Sequence, residues 1–191
     1  MIAETVQLFR RELDEFLRRK ARLGASDSVV ALTQFANAQG ELTIPSNQVG
    51  VCLFNIDEER IMKNQGFVPS RNGDRIAYIQ PEVRLNMYML FAANFADYAE
   101  ALKYVAWTVA FFQRKRVFNP QNTPAMTPGM AEVAVDLYAM TLEQQNYLWT
   151  ILGAKYLPSV AYQVRPVTVQ ENEIEREAAP VADVDLSPAQ R

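Results

Sequence analysis

The chain of 191 residues contains no histidine, one cysteine and two tryptophans. Without histidine it lacks the side chain that titrates near neutrality and the commonest biological metal ligand. The usual zinc spacings, which combine several cysteines and histidines, are excluded with it. Cys52 has no second cysteine for an internal disulfide, which suits a reducing compartment. Among Leu53 and Phe54 it reads as a small hydrophobe. No GxxxxGK[ST], GxGxxG or GxSxG occurs, so no phosphate cradle or nucleophile elbow is announced. Asp57-Glu58-Glu59 reads as the solvated end of a strand beside Arg60 rather than as a carboxylate pair for hydrolysis. The expectation is therefore no catalytic residues, no metal and no cofactor. No run approaches the roughly 18 apolar residues of a membrane span. The N-terminal MIAETVQLFRRELDEF is charged and periodic without an apolar h-region, so it does not read as a secretory signal. Synthesis in the cytoplasm without direct membrane insertion is expected.

What is present is 49% hydrophobic residues, enough for a sizeable core, and an uneven charge. Residues 170–191 hold six acidic side chains against Arg176 and Arg191, a net of −4, which leaves +1 for residues 1–169. A near-neutral body argues against nucleic acid as the main partner, because phosphate binding needs a basic surface. The expected organisation is a core domain over 1–169 followed by an acidic, flexible C-terminal arm over 170–191.

Residues 2–23 carry Ile2, Val6, Phe9, Leu13, Phe16 and Leu17 at helical spacing, with Asp14–Arg18 and Glu15–Arg19 pairs on the wet side and Gly24 as the stop. Residues 28–36 suit a strand, 37–40 a turn and 49–61 a second strand. Two glycines, a proline and Asn72-Gly73 make 63–75 read as loop. Over 82–95, Val83, Leu85, Met87, Met89 and Phe91 point one way and Arg84, Asn86 and Tyr88 the other. Leu90 and Ala92 then make both faces apolar, the mark of a central strand. Asp97 with Glu100 opens a helix to about Arg114, with a core stripe of Tyr98, Leu102, Val105, Val109 and Phe112 and a second line of Tyr104, Trp107 and Phe111. A stripe this wide predicts deep burial or contact with another subunit. The proline-rich 117–129 reads as an ordered loop, and 131–140 as a strand with Val133, Val135 and Leu137 inward.

The last unit is the most explicit. Thr141 with Gln144 is a capping box; Leu142, Leu148, Trp149 and Leu152 give the helix an apolar stripe; Gly153 and Pro158 end it. Val160, Tyr162 and Val164 then alternate with Ala161, Gln163 and Arg165 in a strand. Pro166 cannot donate to a ladder, so this strand is expected at an edge or leaving the sheet there. The order of elements predicts an α+β domain with one mixed or antiparallel sheet and its helices mainly on one face.

Leu148-Trp149, Gly153 and the run Tyr156-Leu157-Pro158-Ser159-Val160-Ala161-Tyr162-Gln163-Val164-Arg165 resemble the end of a known core domain. It is that of the tail-terminator (cap) proteins of phage-tail-like extracellular contractile injection systems, the antifeeding-prophage type. The resemblance extends to the loops at Asn64 and at 119–124. It implies a structural role: a homohexameric ring that ends inner-tube and sheath polymerisation at the distal end of a particle, either released or membrane-attached. The implied partners are the chain itself, the inner-tube protein and the sheath protein. A body roughly 40 Å across, placed six to a ring, leaves a hole on the order of 40 Å. Because sheath subunits in such systems are joined by strands donated between neighbours, the resemblance points to strand addition along 159–169, through Tyr162, Val164, Arg165, Val167 and Val169. Lys63, Asn64, Arg71, Arg75, Asn119 and Gln121 are the candidates for loops facing tube or subunit. Trp149, Leu152, Leu102 and Phe112 are the expected core anchors. The residues alone also leave open a monomeric adaptor binding peptide on an exposed edge strand, and an enzyme or small-molecule-binding domain.

Overall fold

The computed structural model describes residues 1–24, 26–59, 68–72, 75–79, 83–169 and 174–178. The first helix, α1 (Ile2–Ala21), buries Val6, Leu8, Phe9, Leu13, Phe16 and Leu17. It stops before Gly24, at Arg22, which adopts the left-handed conformation (φ 57°) while Leu23 N–H donates to the Arg18 carbonyl at 3.0 Å. Asp14, expected on the wet side, is buried instead. Its Oδ1 accepts the backbone N–H groups of Val29 (2.7 Å) and Val30 (2.9 Å), and Arg18 Nε lies 3.0 Å from its other oxygen. A carboxylate facing two buried amides and a guanidinium answers the polar groups that burial would otherwise leave costly.

These amides open β1 (Val30–Leu32), which is three residues long rather than the nine expected. Beyond it the chain turns through an Ala36–Leu42 bridge, where Asn37 Oδ1 accepts the N–H groups of Gln39 (3.0 Å) and Glu41 (2.9 Å). The following strands are β2 (Gln48–Glu58), β3 (Val68–Asn72), β4 (Arg75–Ile79) and β5 (Val83–Asn94). Then come α2 (Tyr98–Arg114), β6 (Val117–Phe118), β7 (Val133–Leu137), α3 (Leu142–Leu152), β8 (Ser159–Val169) and β9 (Ile174–Ala178). The main sheet has the order β1-β2-β5-β8-β7-β6, parallel only between β1 and β2. A second sheet has the order β3-β4-β9.

β5 is central, as its doubly apolar end requires. On one side Met87, Met89, Phe91 and Ala93 pack with α1 and α2; on the other Leu90 and Ala92 pack with Phe35, Ile44, Leu148 and Trp149. Two helices thus cover one face and α3 the other, an α+β fold with a mixed sheet. The larger core is aromatic: Phe112 lies 4.4 Å from Tyr162 and 5.2 Å from Phe91 between ring centroids, and Phe9 lies 4.9 Å from Phe118. In the smaller core a Cβ on Gly50 would fall 2.6 Å from the Ile44 side chain, so only glycine lets that segment lie on β2.

One segment contradicts the sequence reading. The span 63–75, expected as loop, contains β3, which pairs with β4 from Val68↔Ile79 to Asn72↔Arg75. Within the acidic arm, Ile174–Ala178 is a strand on β4. Leu137, expected inward, is 61% exposed at the end of β7.

Candidate assembly surface

β8 pairs with β5 on one side and, from Tyr162↔Leu137 to Arg165↔Ala134, with β7 on the other. The strand expected at an edge is therefore interior over this span. Tyr162 and Val164 are buried core residues without an open backbone side, and Arg165 is held by an ion pair to Asp136 at 3.0 Å. Pro166 stands where the β7 ladder stops. A residue without an N–H ends pairing on that side. From there Val167, Thr168 and Val169 pair only with Leu85, Arg84 and Val83 of β5, and Val167 turns its side chain into the core.

The second sheet, β3-β4-β9, is an antiparallel three-stranded ribbon. In the main sheet β5–β8 pairing reaches Val83↔Val169, and in the second sheet β4 pairs with β9 from Ile79↔Ile174 to Ile76↔Ala178. Among the described residues β3 and β9 each have one strand partner. Among the described residues, sides without a strand partner lie along 166–169 in the main sheet and along β3 and β9 in the second sheet. An open edge offers unpaired N–H and C=O groups to another strand.

The tube- or subunit-facing candidates are scattered. Lys63 and Asn64 lie outside the described residues. Arg71 and Arg75 lie on β3 and β4 of the ribbon. Asn119 sits in the 117–129 loop, where its side chain is consumed locally: Asn119 Oδ1 accepts Asn122 N–H at 3.0 Å, and its amide donates to Glu132 at 3.1 Å. Gln121 is exposed in the same loop. The structure brings Arg71 and Arg75 into one hairpin and leaves Asn119 and Gln121 by β6, at the far edge of the main sheet.

Of the expected anchors, Trp149 is 6% exposed between Phe35 and Tyr156, Phe112 is buried, and Leu152 is half-buried. Leu102 is 46% exposed and is not a core residue. The buried face of α2 is Ala101, Tyr104, Thr108, Phe111 and Phe112, which leaves Tyr98, Leu102 and Val109 outward. Asp97 caps this helix through Ala99 N–H at 3.0 Å, while Glu100, expected to complete a capping box, pairs with Lys103 instead. In α3 the capping box of Thr141 and Gln144 forms in both directions. Leu142, expected in its buried stripe, is 85% exposed.

Asp57 of the acidic run engages the sheet. Tyr88 Oη donates to Asp57 Oδ2 (2.9 Å) and Asn86 Nδ2 to Asp57 Oδ1 (2.9 Å), which crosslinks β2 to β5. Burial, then the Asp57 carboxylate, pushes the Tyr88 hydroxyl up to about 12. Burial alone does the same to Tyr162, and it pushes the Cys52 thiol up to about 12, which favours the protonated form near neutral pH. Among the described residues no group of three or more His, Cys, Asp or Glu could hold a metal ion, and no helix is long and apolar enough to cross a membrane.

The fold, a mixed α+β arrangement with a second three-stranded sheet, is one that solved structures share. The family model of the Pvc16 N-terminal domain matches residues 4–183, and the chain belongs to that family. The cryo-EM structure of the PVC sheath/tube terminator of an extracellular contractile injection system, in its extended state, superposes with a TM-score of 0.70 at 16% identity. That match covers 100% of this chain and 64% of the terminator. The anti-feeding prophage cap, a tube-terminating cap, gives 0.61 at 14% identity over 93% of this chain and 59% of the cap. At these identities the likeness is one of fold, and the chain spans less than two thirds of either protein. No curated protein sequence matches it significantly.

Proposed function

We propose that this chain is a structural cap of a contractile injection particle, ending polymerisation of its inner tube and sheath. The observation that carries this reading is the superposition of the whole chain on a sheath/tube terminator, with family membership spanning nearly all of it. The role asks for shape and edges rather than chemistry. A cap presents one face complementary to the last ring and another that recruits nothing further. Six copies in a ring are proposed on the resemblance of the 148–165 run, with the inner-tube and sheath proteins as partners, no nucleic acid and no enzymatic activity. Assembly takes place in the cytoplasm, before the particle is released or anchored.

The proposed strand-addition site is the end of the 159–169 span together with the second sheet. A sheath strand adds along 166–169 and β9, or along β3, where backbone groups are open, and Arg71 and Arg75 flank it. Residues 1–169 form the body, and the acidic arm supplies the ribbon's third strand. Antibody labelling of a tagged chain on isolated particles tests the placement. Label at one end of each particle is the expected result; label along the sheath, or none on particles, contradicts it.

A further inference from the structure

At the end of β2 stand three acidic residues, Asp57, Glu58 and Glu59, and two of them converge on one neutral side chain. Nδ2 of Asn86, on β5, donates to Asp57 Oδ1 at 2.9 Å and to Glu59 Oε2 at 3.3 Å. The backbone imposes this meeting. Asp57 stands opposite Asn86 in the β2–β5 ladder, and the Glu59 N–H donates to the Arg84 carbonyl at 2.8 Å. Strand alternation then sets Asp57, Glu59 and Asn86 on one side of the sheet.

Asn86 is 7% exposed, and its Oδ1 is buried without a hydrogen-bond donor. Leaving such an oxygen bare costs its hydration, so a buried amide ordinarily has a partner at both ends. Both groups that donate to Asp57, Asn86 and the Tyr88 hydroxyl, are neutral. The oxygen and nitrogen of an amide share one shape, and half a turn about the last bond of Asn86 exchanges them. The oxygen then takes the place 2.9 Å from Asp57 Oδ1 and 3.3 Å from Glu59 Oε2. Three oxygens about 3 Å apart are what a hard cation gathers when it takes carboxylate and amide ligands at about 2.3–2.6 Å. In that orientation the bare acceptor becomes a ligand.

We propose that Asp57, Glu59 and Asn86 form a binding site for a hard divalent cation, calcium, with water completing its shell. Tyr88 orients the Asp57 carboxylate by donating to Oδ2, the oxygen that faces away from Asn86, as hydrogen bonds to ligating carboxylates commonly do. Two carboxylates with an amide make this set, so it carries no spacing that a sequence motif would record: the third ligand comes from β5, 29 residues beyond Asp57. A cation held here clamps the end of β2 to β5. The site belongs to the single chain and is independent of the cap reading.

The test is calorimetry of the full-length chain, freed of metal with a chelator and then titrated with calcium chloride. The melting temperature should rise by about 3–6 °C at roughly ten times the dissociation constant. Asp57→Asn keeps the shape and removes a charged ligand, so it should abolish most of that rise. Asn86→Asp places a third carboxylate beside the other two. It should melt below the wild type in chelator and gain more from calcium than the wild type does, a reversal that a merely structural asparagine would not produce. No rise in the wild type overturns the proposal. An equal rise from potassium chloride at matched ionic strength means screening of an acidic chain, and an equal rise in Asp57→Asn puts the cation elsewhere. Either result overturns it as well.

Discussion

The Oδ1 atom of Asp14, in the middle of α1, accepts a hydrogen bond from the backbone N–H of Val29 at 2.7 Å. It also accepts that of Val30, so one helix side chain holds the start of β1 against the body. Asp14→Ala leaves two buried amides without an acceptor, at about 1–3 kcal/mol each. Asp14→Asn keeps an acceptor and loses only the charge. Denaturant unfolding should therefore show a large loss for the alanine variant and a smaller one for asparagine; equal losses would mean that charge, not the hydrogen bonds, matters there.

Trp149 is buried against Phe35 and supports the segment that closes the smaller core. Trp149→Ala should lower the unfolding free energy by about 3–5 kcal/mol. Calorimetry checks this, and an unchanged melting temperature would contradict its placement.

Stability should fall at high pH. Burial raises Tyr162, and burial with Asp57 raises Tyr88, from 10.0 to about 12. Between these values the folded chain retains phenolic protons that the unfolded chain has lost. The contribution is thus fully present below about pH 10 and is lost as pH rises towards 12. Denaturation midpoints across this range, with Tyr162→Phe for comparison, should fall less steeply in the variant.

Much of this architecture was legible in the sequence, for identifiable reasons. The central position of β5 followed from Leu90 and Ala92, which break its alternation, and the α3 start from a capping box that needs only local atoms. The α2 face was misread because the helix carries two apolar lines. Periodicity shows both, but only tertiary packing decides that Ala101, Tyr104 and Thr108 go inward and Leu102 outward. Asp14 resembled an ordinary i, i+4 partner of Arg18, since its second role depends on chain fifteen residues away. The ribbon was obscured by Pro69 and Asn72-Gly73. Those breakers signal the turn of a hairpin as well as a loop, and the pairing of β9 with β4 spans about a hundred residues that no local pattern records. Strand addition was expected along the whole of 159–169, and the sheet divides that span at Pro166: Tyr162 to Arg165 lie between β5 and β7, and Val167 to Val169 pair with β5.

Removal of 170–191 takes away β9 and spares β8, which is interior to the main sheet. The truncated chain should melt close to the full-length one and fail to join particles. Removal from 159 onward would instead take out a strand with two neighbours and unfold the body. Normal incorporation of the 170–191 deletion would place the sheath contact elsewhere.

The most direct test of the cap itself is electron microscopy of particles from cells that lack this gene. Terminator function predicts sheaths and tubes that are uncapped, irregular in length or missing, restored by the wild-type gene but not by the 170–191 deletion. Particles of uniform normal length with an intact distal cap would contradict it.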